Sequence, residues 1–443
     1  MSIETGSALE LDDIQAAAVE PRPTPYAGAY LALRIDDRRQ GRELLRRLTP
    51  ALDSVAAFDP ERQVSLAVAL SFQGLKALGV PEESLATFPE EFREGMAARA
   101  EYIGDVGESA PENWEGPLGS KDVHLILAGL APDAARLETV LLLVRDALRD
   151  LPGVVAIWQQ DVHVGPDEKE PFGFRDGIGQ PAIEGTGIPG TNPYEEPLRA
   201  GEFITGYKDE THGIAPVPQP EMLGRNGTYV AFRKLHTRVA DFRKYINERA
   251  TGPADEELLA AKFVGRWPSG APLALTPDKD DPELGADPKR NNAYLYGDDP
   301  EGLKCPVGAH ARRMNPRDAV VTGEVRLHRM IRRGTTYGPP LPKGVLEDDG
   351  VDRGIMFAFV GAHLDRQFEF VQRQWVNDGK FIGSPAEKDP LIGVNDDDGG
   401  FTVPRRPIRR RFKGLPPFVV NRGGEYCFMP GLRALRWIAN LDT

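Results

Sequence analysis

Cysteine is almost absent from this chain. Its 443 residues include two, Cys305 and Cys427, with no close spacing. That excludes a disulfide framework and a cysteine metal cluster, and reduced thiols of a cytosolic protein are the plain reading. An excess of basic charge is also missing. Lys and Arg number 54 against 67 Asp and Glu, a net charge of −13, which argues against nucleic acid or an anionic membrane surface as partner. No apolar run approaches the roughly 20 residues of a membrane span. The first twenty residues carry neither the basic start and hydrophobic core of a signal peptide nor a twin-arginine pair, so a cytoplasmic location is expected. Histidine is scarce too. None of the seven lies in HExxH or paired zinc spacing. There is no Walker loop, and the glycines of residues 165–190 are spread through a proline-containing loop, which weakens a phosphate or dinucleotide reading.

What is present is enough apolar material for two cores, since 40% of the residues are hydrophobic. Residues 1–24 read as a flexible lead-in ending in Pro21 and Pro23. The pattern then predicts strands over 27–35, 65–71, 122–130 and 153–164, with helices over 39–52, 73–78 and 132–148. The order is β-α-β-β-α-β, the split ferredoxin-like arrangement. A similar order returns later. Strands are expected over 227–234, 325–332, 354–360 and 418–428, and helices over 241–250, 255–264, 364–375 and 432–441. The expectation is an α+β protein of two ferredoxin-like domains, 25–215 and 216–443, with two antiparallel sheets. The irregular stretches 184–225 and 267–306 are long enough to wall a pocket.

Three short segments carry the chemistry. Small residues, Gly308 and Ala309, precede His310 and would let a flat macrocycle approach the backbone. Arg312, Arg313 and Arg317 follow it, suited to pairing with carboxylates. One imidazole suffices to hold a haem iron and leave its other face open. Asp176 follows Phe172 and Phe174, an apolar setting that suits a carboxylate to acid–base work. Arg332 stands at a strand end, where its charge could stabilise a developing anion. Singly, each has an ordinary alternative: a capping histidine, a turn aspartate, a solvated charge pair.

Together they resemble the dye-decolourising (DyP-type) haem peroxidases. Gly173-Phe174-Arg175-Asp176-Gly177 matches that family's GxxDG motif. Residues 305–317 match its Cys-Pro-x-x-Ala-His-x-Arg-x-x-Asn-Pro-Arg run, and residues 332–338 its R-x-G-x-x-[YF]-G segment. The resemblance extends from about Pro25 to the C-terminus and is similar to the larger C-type branch. It implies the dimeric α+β barrel superfamily and one haem b per chain, in a pocket between the sheet and helices of the C-terminal half. His310 would be the iron ligand, with Asp176 and Arg332 on the open face, and the haem carboxylates would take Arg312, Arg313 and Arg317. The implied partners are hydrogen peroxide and bulky dyes, phenols or manganese(II) as donors. The oligomeric state stays open. Thr335-Thr336 departs from the Ile-Pro or Met-Pro of many relatives and would alter the shape of a channel.

A metal-bound histidine needs an acceptor on its other ring nitrogen. Glu369, an acid among apolar neighbours on a helix, is the first choice, and Asp365 the alternative. Tyr337, Trp375 and Trp437 are candidate electron relays, and His163 is a fallback acid–base group. The run Asn395-Asp396-Asp397-Asp398 reads as a solvated turn rather than a cation site, because it lacks the full calcium-loop pattern. Two other classes compete with the peroxidase. One is a non-catalytic haem-binding or haem-transfer protein, which would not need Asp176 and Arg332. The other is a haem-free protein sharing only the scaffold.

Overall fold

The structure is a computed structural model that describes residues 8–61, 63–165, 167–321, 323–395 and 399–441. Asp396, Asp397 and Asp398 lie outside those residues.

The first half runs β1 (Ala27–Ile35), α1 (Arg38–Leu48), β2 (Ser65–Ser71), β3 (Leu125–Ala131), α2 (Ala134–Leu148) and β4 (Val154–His163). Local chemistry sets these boundaries. Asp37 and Asp133 accept the N–H groups of Gln40 and Arg136, so each caps its helix. The second half runs β5 (Thr228–Thr237), α3 (Val239–Arg249), α4 (Pro253–Val264), the short α5 (His310–Met314), β6 (Ile331–Arg332), β7 (Thr335–Tyr337) and β8 (Gly354–Gly361). Then come two π-wound segments (Leu364–Glu369 and Val371–Val376), a β9–β10 hairpin (Gly400–Val403, Arg410–Lys413), β11 (Val419–Met429) and α6 (Leu432–Ala439).

Each half has the antiparallel ferredoxin-like strand order, β4-β1-β3-β2 and β11-β5-β8-β6, with β7 also on β8. The expected two sheets are one. β2 and β11 pair through Ser71–Cys427 and Leu70–Phe428, which gives nine continuous strands. An open edge on β2 would leave N–H and C=O groups unpaired, and β11 covers its end. The rest of that edge is met by Gln15, whose amide accepts from Val68 N–H and donates to Val68 C=O, both at 3.0 Å. The lead-in is therefore not free. From residue 8 onward it lies on the sheet, with Ile14, Ala16, Ala18 and Val19 buried. Small apolar side chains alternating with one amide fit a strand edge, and this overrides the prolines that suggested a linker.

The sheet curls until its outer strands meet. Thr336 Oγ1 donates to His163 C=O, Thr336 Oγ1 and Tyr26 Oη lie 3.0 Å apart, and Tyr30 Oη and Thr335 Oγ1 also lie 3.0 Å apart. Thr335 and Thr336 thus close a seam between the halves, where a channel wall was expected. The concave face sets small residues, among them Ala32, Ala67, Ala69 and Ala358, beside large ones such as Tyr30, Ile126 and Phe232. The convex face of the first half packs on α1 and α2 through Leu44, Leu45, Leu48, Val140 and Val144. One predicted strand shrinks: 325–328 is a 3-10 turn, and only Ile331–Arg332 pairs there. Among the described residues no helix is long and apolar enough to cross a membrane.

Candidate functional site

The convex face of the second half is not fully covered. Between it and the segments packed over it lies a cavity of about 470 Å³, within the range of cofactor pockets. The strands supply Leu235, Ile355, Phe357 and Val419, the π-wound segments Phe368 and Val371, and flanking elements Met314, Met330, Leu391 and Ile392. π-turns often mark functional sites, and here both face the cavity. Loops of the first half, including Asp105–Ser109 and Glu170–Asp176, complete the wall. Asp176, His310 and Arg332, which lie far apart in sequence, all line this one cavity.

His310 opens α5. Its Nδ1 is 2.9 Å from Asp389 Oδ2, and Asp389 is wholly buried. A carboxylate only accepts, so Nδ1 carries a proton, and in the neutral imidazole Nε2 is the nitrogen that bears the lone pair. Asp389 is held in turn by the N–H groups of Leu391 and Ile392 on Oδ1, at 2.9 and 3.0 Å. Burial pushes its proton affinity up, but His310, Arg313 and these amides outweigh it and leave its pKa below the usual value.

Glu369 does not take that role. Its carboxylate is buried against Arg99, with Nε–Oε1 2.5 Å and Nη2–Oε2 2.7 Å, and it accepts from Tyr426 Oη at 3.0 Å. Asp365 is exposed and makes no contact with His310. Glu369 closes the first π-wound segment beside Arg99, and a buried acid goes to the cation within reach.

The three arginines after His310 also turn away. Arg312 binds Asp299 Oδ2 at 3.1 Å and the carbonyls of Asp299 and Cys305, both at 2.8 Å. Arg313, fully buried, donates to Trp375 C=O and Glu387 C=O, both at 2.5 Å. Arg317 donates to Tyr294 C=O at 2.8 Å and stacks on that ring at 3.8 Å. They pin α5 to its surroundings, because buried carbonyls need donors and a guanidinium offers five. Gly308 and Ala309 pack on Phe401 and in the cluster around Trp267 and Tyr296, away from the cavity. The guanidiniums that do line the cavity belong to Arg175, Arg233 and Arg332.

Elsewhere on the cavity lining, Arg332 donates to Gly179 C=O at 3.1 Å. Burial lowers its pKa, and the charge of Asp176 works against that. Asp176 is exposed to the cavity, and among the described residues no hydrogen-bond partner holds its carboxylate. Glu170 also lines the cavity. Burial raises its pKa to about 8, aided by Asp176 and opposed by the N–H groups of Phe172 and Phe174. A buried pair, Arg233–Asp105, closes one end, and Asn421 Nδ2 donates to Asp105 at 3.1 Å.

Two relay candidates are core residues. Tyr337 is 1% exposed and Trp375 not at all, while Trp437 is half-buried against the core that holds Leu44, Leu45 and Leu48. His163 sits on the edge strand β4, outside the cavity. Sequence reasoning missed Asp389, Glu170 and the Asp105–Arg233 pair. The signal for Asp389 was faint: an acid before Pro390 and then the apolar Leu391 and Ile392, with nothing to tie it to His310.

No protein-family model matches the chain. It is 30% identical over 457 residues to the dye-decolorizing peroxidase of Exidia glandulosa, covering 97% of this chain and 87% of that protein. With the dye-decolorizing peroxidase AauDyP1 of Auricularia auricula-judae it shares 32% identity over 407 residues, 84% of this chain and 75% of that one. A solved dye-decolorizing peroxidase in complex with 2,6-dimethoxyphenol superposes with a TM-score of 0.85 at 26% identity, over 97% of this chain and 100% of that chain.

Proposed function

The chain belongs to the dye-decolourising peroxidase family, and from that premise we propose that His310 holds a haem b in the cavity while Asp176 and Arg332 act on peroxide from the opposite wall. The protein is a peroxidase that uses hydrogen peroxide to oxidise dyes and phenols. The residues present suit a haem. The cavity is largely apolar, it offers the imidazole of His310, and among the described residues no second histidine or cysteine lines it. Arg175 and Arg233, already paired with Glu168 and Asp105, are the guanidiniums that the haem carboxylates would share. The bound haem supplies the centre at which the O–O bond is cleaved and the oxidising equivalents are kept.

The protein's own residues do the rest. Asp389 keeps the Nδ1 proton of His310 in place, which fixes the tautomer and strengthens Nε2 as a ligand. Asp176, with no competing partner, takes a proton from one peroxide oxygen and returns it to the other. Arg332 cannot act as a base, because it stays charged. It supplies a fixed positive field where the departing oxygen gains charge. The apolar walls weaken screening inside the cavity and make that field count for more.

The observation that carries this reading is the convergence of His310, Asp176 and Arg332 on one cavity. The test is to mix the purified haem-loaded protein with hydrogen peroxide in a stopped-flow spectrometer and follow the Soret band. A rapid spectral change, followed by recovery on addition of a phenol, is expected. A haem-loaded protein inert to peroxide would overturn the reading.

A further inference from the structure

Glu170 takes no part in the steps above, yet it shares the cavity with Asp176. Between them Phe172 and Phe174 turn inward. Phe174 is 5% exposed in the cluster of Phe401 and Phe412, and the Phe172 ring lies 4.9 Å from that of Phe242. Burying these rings takes their N–H groups out of water, so each needs an acceptor. The Glu170 side chain provides both: Oε2 accepts from Phe172 N–H and Oε1 from Phe174 N–H, each at 2.9 Å. The backbone closes the same turn. Glu170 N–H donates to Phe174 C=O at 2.9 Å, and Gly173 N–H to Glu170 C=O at 2.8 Å. Lys169 and Arg175 pair as an antiparallel bridge, and Gly173 makes the reversal at φ +99°. Asp176 is the next residue out of that bridge. With no hydrogen bond of its own among the described residues, it takes its position from the turn.

We propose that Glu170 is a positioning residue for Asp176, its carboxyl group gripping the N–H groups of Phe172 and Phe174 and so fixing the turn from which Asp176 reaches into the cavity. This rests on the role given to Asp176 above. A carboxyl group suits the place because both of its oxygens accept, and a protonated one still keeps a lone pair on each. Glutamine would set an NH₂ group against one of the two N–H donors. The other charged groups around the turn are engaged elsewhere. Arg175 pairs with Glu168 at 3.0 Å, Arg238 with Glu108, Arg233 with Asp105, and Arg332 donates to Gly179 C=O. The charge of Asp176 presses on Glu170 and adds to the effect of burial in raising its pKa.

The experiment uses the full haem-loaded chain with Glu170→Gln, and with Gly173→Ala as a second variant. Nothing lies within 4 Å of a Cβ at Gly173, so that substitution strains the turn through φ alone. Hydrogen exchange of the peptide covering 171–176 is expected to speed up at least about tenfold in both variants. The Soret band should stay unchanged, because His310 and its partner are untouched. The peroxide step should slow at least about tenfold, while oxidation of a phenol by the already oxidised protein keeps its rate. Glu170→Gln combined with Asp176→Asn should be no slower than Asp176→Asn alone. Unchanged exchange in 171–176, or losses that multiply in the double variant, would overturn the proposal. A wild-type peroxide rate in Asp176→Asn would overturn the role of Asp176, whereas the exchange measurement judges Glu170 on its own.

Discussion

The two walls of the cavity are built on opposite terms. On the His310 side the key groups are tied down: imidazole Nδ1 to carboxylate, carboxylate to two amides, and Arg313 to four carbonyls. On the Asp176 side the carboxylate is unheld and Arg332 makes few bonds, so order comes from the backbone turn beneath. A ligand must stay where it is, whereas a group that moves protons must keep its lone pairs free. The hydrogen bonds are placed accordingly.

This contrast breaks most severely at His310. His310→Ala should remove the one imidazole that lines the cavity among the described residues and abolish the iron–histidine signature in resonance Raman spectra, with weakened haem retention. Persistence of that signature in the variant would move the ligand elsewhere.

The opposite wall should fail in rate and not in binding. Asp176→Asn and Arg332→Leu should each keep haem yet slow the peroxide reaction at least about tenfold, a floor for acid–base and electrostatic losses. Stopped-flow mixing with hydrogen peroxide measures both. Haem loss in either variant would mean that this wall is structural too.

Asp389→Asn should be subtler. Haem stays bound, but His310 becomes a poorer donor, so the iron reduction potential rises. Glu369→Gln is the control: its partners are Arg99 and Tyr426, so the potential should not move. Spectroelectrochemical titration separates them, and a shift confined to Glu369→Gln would reverse the assignment.

The smallest effect concerns pH. Glu170 has its pKa raised from 4.5 to about 8. Between those values the folded protein holds a proton that the unfolded chain releases, so this group makes stability fall as pH rises from about 4.5 to 8. Glu170→Gln removes the titration. The fall in melting temperature across that range should be shallower in the variant, and parallel curves would show that Glu170 ionises normally.

Element order was legible because each half obeys local rules: alternation in strands and helical spacing in helices. The three chemical residues were legible because their short motifs travel with them. The lead-in misled, since Pro21 and Pro23 speak louder in sequence than Gln15, whose value depends on a strand edge it cannot announce. Arg312 and Arg313 misled for a related reason: their spacing is plain, but the direction of their side chains is not.

The sequence by itself determined the two β-α-β-β-α-β halves, the family, and which histidine, aspartate and arginine to watch. These depend on neighbours within a few residues. Only the tertiary structure decided that the sheets fuse through β2 and β11, that Asp389 and not Glu369 meets His310, and that Glu170 underpins Asp176. Asp389 lies 79 residues from His310, and a hydrogen bond across that span follows from how the helices and sheet pack. The direction of a buried charged side chain is settled by whichever partner the fold brings within about 3 Å, a distance that no spacing along the chain encodes.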